Sequence, residues 1–154
     1  MGGFIEALKT EWHQFHEIGK KVETQTILVV EDVTLILENL EEILEANGYS
    51  VLIATSGIEA LEKLQAFKVD LVLCDVRMRG MTGIELLQVT RRDADLRNIP
   101  FIFLSALTSR REKEAGLAAG AVAYIIKPFY LDELWLLFNR FCLSTAAKIN
   151  IPLI

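Results

Sequence analysis

From Thr26 onward the apolar and polar positions follow two alternating periods. Five short runs, "TILVV" (26–30), "SVLIA" (50–54), "VDLVLC" (69–74), "PFIFLS" (100–105) and "AVAYII" (121–126), are apolar almost throughout and rich in β-branched or aromatic residues. That length and composition predict strands buried on both faces of a sheet. Between the runs, apolar residues recur at helical spacing. "TLILENLEEILEANG" (34–48) sets Leu35, Leu37, Leu40, Ile43 and Leu44 largely on one side and stops at Asn47-Gly48, a pair suited to a left-handed cap. "SGIEALEKLQAF" (56–67) opens on a Ser N-cap, and "GIELLQVTRR" (83–92) ends in basic residues that oppose the helix dipole. "SRREKEAGLAAG" (109–120) runs from a Ser to a Gly, and "LDELWLLFNRFCLS" (131–144) reads as a long apolar final helix.

Strand and helix thus alternate five times with short connections. Right-handed crossovers that return to one sheet give a parallel sheet with helices on both faces. Ligands in such folds bind outside the C-terminal strand ends, where the strand order reverses. Those ends carry Glu31-Asp32, Asp75, Ser105 and Lys127-Pro128. Asp75 closes a run of Val, Leu and Cys, where burying an unpaired charge is costly, so it needs a partner or a bound cation.

Composition removes several alternatives. An apolar content of 52% over 154 residues supplies the core of one domain and argues against disorder. A net charge of −5, with only Lys20-Lys21 and Arg110-Arg111 as basic pairs, argues against a nucleic-acid binder. Cys74 and Cys142 lie in apolar surroundings without metal-ligand spacing and are expected to be reduced core thiols. No apolar run approaches the roughly 18 residues of a membrane span. No signal peptide is visible, and Met1-Gly2 is followed by Glu6 where myristoylation wants Ser or Thr. The expected setting is cytoplasmic, without membrane insertion.

Carboxylates converging on one rim repel, and one of them takes up a proton unless a cation neutralises the group. An all-oxygen site with a few carboxylates and room for water suits Mg²⁺. Lys127 and the Ser105 hydroxyl would then meet phosphoryl oxygens, and Asp75 is the natural nucleophile for an acyl phosphate.

Residues from about 25 to 145 resemble the receiver domain of two-component response regulators. The acidic pair in "VVEDV", the Asp in "LVLCDVRMRGMTG", the hydroxyl residue and Ala in "FLSA" and the Lys-Pro in "YIIKPF" stand in the family's order and spacing. The resemblance implies a flavodoxin-like sheet in the order 2-1-3-4-5. It further implies that Asp75 accepts a phosphoryl group from the phosphohistidine of a histidine kinase or histidine phosphotransfer protein. Glu31 (through water), Asp32, Asp75 and the backbone carbonyl of Arg77 would hold Mg²⁺, Lys127 would bind the phosphoryl oxygens, and Ser105 and Tyr124 would form the switch. The protein would be a phosphorelay component that catalyses only its own aspartyl phosphorylation and dephosphorylation, and is otherwise not an enzyme.

Some positions depart from the common pattern. Val33-Thr34 follows the acidic pair where an acidic residue and Pro are usual, and Arg79 stands where Pro is usual. Arg77 and Leu107, two residues beyond Asp75 and Ser105, occupy places that face the attacking water in the family, so a long-lived phosphorylated state is expected. A phosphorylation-independent pseudo-receiver acting as a binding or dimerisation module is the main alternative. A flavin protein would need a Ser/Thr/Gly-rich loop after the first strand, and a haloacid-dehalogenase-type phosphatase would need a second Asp where Arg77 stands.

Residues 1–24 lie outside the pattern. Phe4, Ile5, Leu8, Trp12, Phe15, Ile18 and Val22 form a stripe at helical spacing, predicting an amphipathic helix. It would pack on the final helix, on a second copy or on a partner. His16-Glu17 resembles the phosphoacceptor pair of histidine kinases without the rest of that motif, so a surface His is the better reading. The tail 146–154 is short and leaves no room for an output domain, so the chain is expected to act by docking to a downstream protein target. The expected docking face is the fourth and fifth strand-helix units, and homodimers through that face or through the N-terminal helix are also expected.

Overall fold

The computed structural model describes residues 24–106 and 109–141. The expected N-terminal helix with His16, the tail 146–154, Leu107 and Cys142 lie outside the described residues. Within them, the strands β1 (Thr26–Val30), β2 (Ser50–Ala54), β3 (Leu71–Asp75), β4 (Phe101–Ser105) and β5 (Ala123–Ile126) alternate with the helices α1 (Thr34–Ala46), α2 (Gly57–Ala66), α3 (Gly83–Arg91), α4 (Arg110–Ala118) and α5 (Leu131–Phe141). All pairings are parallel and the order is β2-β1-β3-β4-β5, as the alternation and the resemblance imply.

The pleat divides the core in two. Ile27, Val29, Leu71, Leu73, Ile102, Leu104 and Ile125 face Leu37, Leu40 and Leu44 of α1 and Leu134 and Phe138 of α5. Leu28, Val30, Val72, Cys74, Phe101 and Phe103 face Ala60 and Leu64 of α2 and Leu86 and Leu87 of α3. Every residue of β3 and β4 is buried, which is why those segments read as continuous apolar runs. Full burial of one Leu, Ile or Phe contributes about 1.5–3 kcal/mol. A one-residue slip of a central strand would send each such side chain to the wrong face, so the register that aligns the strand ends is strongly held.

The helix ends follow the expected chemistry. Asn47 caps α1, its side-chain amide donates to the Ile43 carbonyl at 2.7 Å, and Gly48 takes a φ of +89° to turn the chain out. Ser56 accepts from the Glu59 N–H at 3.1 Å, and Ser109 from the Glu112 N–H at 3.4 Å. α4 approaches the sheet closely because residue 116 is Gly. A Cβ there would lie 3.2 Å from the Phe103 ring and 3.4 Å from the Tyr124 ring.

Three strands start later than their apolar runs. Val69 is buried but precedes β3, and the next residue, Asp70, is taken up by the start of β1: its carboxylate accepts from the Thr26 N–H at 2.8 Å. Pro100 has no N–H to donate to the ladder, although its carbonyl accepts from Val72 at 2.9 Å. Ala121 closes α4 instead of opening β5, since its N–H goes back to the Gly116 carbonyl at 3.1 Å.

Arg91, at the end of α3, ties three segments together. Its guanidinium donates to the carbonyls of Ile99 at 2.9 Å and Gly120 at 3.0 Å and lies 5.6 Å from the centre of the Phe101 ring. Arg91→Ala should cost about 1.5–3 kcal/mol, the scale of hydrogen bonds from a charged donor. Urea unfolding would show this as a lower midpoint with an unchanged slope.

Candidate functional site at the strand ends

β1 has β2 on one side and β3 on the other, so the strand order reverses around it. The β1–β3 register pairs Val30 with Cys74 and carries Glu31 alongside Asp75. Carboxylate oxygens of Glu31, Asp32 and Asp75 all lie within 4.8 Å of one another. On the far side, Ser105 pairs with Ile126, and the Ser105 carbonyl accepts from the Lys127 N–H at 2.8 Å. The Lys127 side chain then reaches across, its Nζ 2.9 Å from Glu31 Oε2 and 3.7 Å from Asp75 Oδ2. The structure therefore brings together Glu31, Asp32, Asp75 and Lys127, which lie far apart in the chain.

Backbone donors fix the acids. The Arg77 N–H donates to Asp75 Oδ1 at 3.2 Å, the Val33 N–H to Glu31 Oε1 at 3.2 Å, and the Arg79 N–H to Asp32 Oδ2 at 3.4 Å. Val33 and Arg79 depart from the common pattern in side chain, yet each serves here through its backbone. Gly83, in the first turn of α3, backs directly onto Asp75: a Cβ there would collide with the Asp75 carbonyl oxygen. Thr82 caps that turn by accepting from the Glu85 N–H at 3.2 Å. Cys74 is a buried free thiol that donates to the Asp75 carbonyl, and burial pushes its pKa well up.

Asp75 is only 9% exposed. Burial, and then the Glu31 charge, push its pKa up to about 6, with Lys127 and the Arg77 N–H opposing the rise. One ammonium among three carboxylates leaves the cluster over-negative, and a hard divalent cation would relieve it. The donor set therefore fits Mg²⁺, with Asp32, Asp75 and the Arg77 carbonyl as the implied ligands and Glu31, engaged with Lys127, as an outer partner. When bound, the ion would neutralise charge on oxygens brought to Asp75.

Ser105 is buried beside this group. The Tyr124 ring packs edge-on against Phe103, with centroids 6.3 Å apart. Its hydroxyl is out of solvent and reaches toward Ser105 without closing a well-formed hydrogen bond among the described residues. Burial is the main cause that raises the Tyr124 pKa, and the Glu112 and Asp75 charges add to it. Sequence reasoning missed Glu112 altogether. It stands in the first turn of α4 and meets the Arg77 guanidinium at 3.7 Å. It also missed the back-to-back contact of Gly83 with Asp75, although Gly83 ends the very stretch that carries the Asp.

The raised pKa has a signed consequence for stability. Between the unfolded value near 4 and the folded value near 6, the folded state holds more protons on Asp75 than the unfolded state does. Stability contributed by this group is thus present below pH 4 and is lost as pH rises through 6. Asp75→Asn should therefore stabilise the cation-free protein at pH 7.5 by about 1–2 kcal/mol, discounted from the full shift because water reaches the carboxylate edge. The gain should vanish near pH 4 in urea titrations performed with a chelator.

Comparison with known proteins agrees with this geometry. The family model for the response regulator receiver domain matches residues 27–139. Response regulator MprA of Mycobacterium avium is 41% identical over 108 residues, which cover 70% of this chain and 46% of that protein. The chain thus spans about half the length of the curated relatives it matches. Among solved structures, the chemotaxis protein CheY4 of Vibrio cholerae has a TM-score of 0.72 at 32% identity, covering 77% of this chain and 98% of that one. TrrA of Thermotoga maritima, solved in complex with Mg(2+)-BeF, has a TM-score of 0.69 at 33% identity, covering 77% and 99%. A receiver domain implies phosphorylation-based signalling, and the family binds Mg²⁺ at an acidic pocket. The chain, built on a CheY-like flavodoxin fold with its acids at the strand-order reversal, belongs to the response regulator receiver domain family.

Proposed function

We propose that this chain is a phosphorylation-dependent signalling switch or phosphorelay shuttle in which Asp75 accepts a phosphoryl group from a partner's phosphohistidine. The observation that carries the reading is the Lys127 ammonium placed against both Glu31 and Asp75 at the mouth of an acid cluster with a raised Asp75 pKa. An Asp75 carboxylate oxygen attacks phosphorus, a P–O bond forms, and the P–N bond to the imidazole breaks with its electron pair leaving on nitrogen. Asp75 is held for this by the Arg77 N–H on one oxygen and by Gly83 packed behind its carbonyl. Lys127 takes up charge that develops on the phosphoryl oxygens. Mg²⁺ dependence follows from the over-negative donor set.

Ser105 and Tyr124 are the proposed reporters. A hydroxyl drawn toward a phosphoryl group on Asp75 would vacate space that the unsatisfied Tyr124 hydroxyl is placed to enter. Leu117 and Ile126, exposed at 42% and 39%, give the α4–β5 side an apolar surface on which a target protein or a second copy would dock. Beyond its own phosphorylation and dephosphorylation the chain is read as non-enzymatic. No helix among the described residues is long and apolar enough to cross a membrane, and the chain is read as acting in the cytoplasm. The complete acid set favours this reading over the phosphorylation-independent module.

Incubation with acetyl phosphate and Mg²⁺ should add the mass of one phosphate to the intact protein. The gain should disappear in Asp75→Asn and with a chelator, and Lys127→Ala should slow it on the order of 10²-fold. An unmodified wild-type protein under these conditions would contradict the reading.

A further inference from the structure

The Arg77 side chain is 70% exposed, yet its Nε is held 3.7 Å from Glu112 Oε1 in the first turn of α4. The Glu112 side chain is only 14% exposed, and its second oxygen, Oε2, is out of solvent with no hydrogen-bond partner among the described residues. This carboxylate is therefore largely buried at the first turn of α4, with one long, loose ion pair among the described residues to satisfy it. The Arg77 backbone, meanwhile, belongs to the site: its N–H already binds Asp75 Oδ1. Tyr124 feels Glu112, Asp75 and Arg77 together, which places the charges in one neighbourhood.

A phosphoryl group on Asp75 would add close to one further negative charge and three acceptor oxygens at the base of the Arg77 side chain. A guanidinium matches phosphoryl oxygens with two parallel hydrogen bonds, whereas the Glu112 contact at 3.7 Å is beyond hydrogen-bond length. The exchange therefore favours phosphoryl. It leaves Glu112 with a buried, unpaired charge, a state relieved by moving the carboxylate, and the helix turn that bears it, into water.

Building on the switch reading, we propose that Glu112 is a brake on the phosphoryl site: it holds Arg77 off Asp75 until a phosphoryl group captures the guanidinium, and its release shifts the first turn of α4. Arg77 becomes a further phosphoryl-binding cation beside Lys127, and Glu112 a positioning residue that acts through Arg77.

The test is a double-mutant cycle on the full chain, read by calorimetric binding of beryllium fluoride with Mg²⁺, a non-transferable mimic of the phosphoryl group. Glu112→Gln should tighten binding about two- to fivefold, the range for losing a competing ion pair whose cation is exposed and whose contact is long, and Arg77→Ala should weaken it. Adding Glu112→Gln to Arg77→Ala should change nothing, because the brake acts only through the guanidinium. In amide NMR spectra, Glu112→Gln alone should move the Arg110–Glu114 signals part of the way toward their positions in the bound wild type. An equal effect of Glu112→Gln in both backgrounds would mean simple charge repulsion or helix capping and would overturn the proposal, as would no effect in either. Wild-type protein that binds no beryllium fluoride, or Asp75→Asn that binds it equally well, would overturn the switch reading and this inference with it.

Discussion

The crowding of three carboxylates, two of them against the Lys127 ammonium, is the constraint on which this molecule turns. Glu31, Asp32 and Asp75 sit together because β1 and β3 are hydrogen-bonded neighbours in parallel register, and Lys127 reaches them because β5 ends two strands away on the same rim. Water would separate such charges if it could. The sheet prevents this, since moving any one strand end would unseat buried Leu, Ile and Phe side chains worth far more than the repulsion. The repulsion shows in the raised Asp75 pKa, and the donor set is one that a hard divalent cation would fit.

The same sheet couples that rim to a surface. Phe103 and Tyr124 form an edge-on pair against which α4 packs through Gly116, so close-packed rings join β4 and β5 to α4. The Tyr124 hydroxyl, without a hydrogen-bond partner among the described residues, and the loosely paired carboxylate of Glu112 lie beside these rings and at the start of α4. Polar groups left without good partners in a low-dielectric setting favour a second arrangement, which is what a two-state element requires.

Much of this was legible in the sequence for physical reasons. Strands buried on both faces cannot hide their apolar continuity, and acids stand out where such runs end. The joining of Glu31, Asp32, Asp75 and Lys127 followed from the alternation of strand and helix, and the sheet order from the resemblance to receiver domains. What failed to show was anything set by backbone details or by helix rotation. Ala121 is as apolar as a strand residue but spends its N–H on closing α4, so β5 begins two residues later than its run. The place of Val33 and Arg79 in the site is carried by N–H groups that any residue but proline supplies, so their side chains gave no sign of it. Glu112 reads as one more charge on a polar helix, and only the packing of α4 turns it toward Arg77.

The central claim is that one carboxylate among three is the phosphoryl acceptor, and it can be read at the level of the residue. Protein treated with acetyl phosphate and Mg²⁺ would be reduced with borohydride, which converts an aspartyl phosphate into homoserine, and its peptides sequenced by mass spectrometry. The account predicts homoserine at position 75 and intact acids at positions 31 and 32. Homoserine at position 32, the one-carbon-longer 2-amino-5-hydroxypentanoic acid at position 31, or reduction products at none of the three, would contradict it.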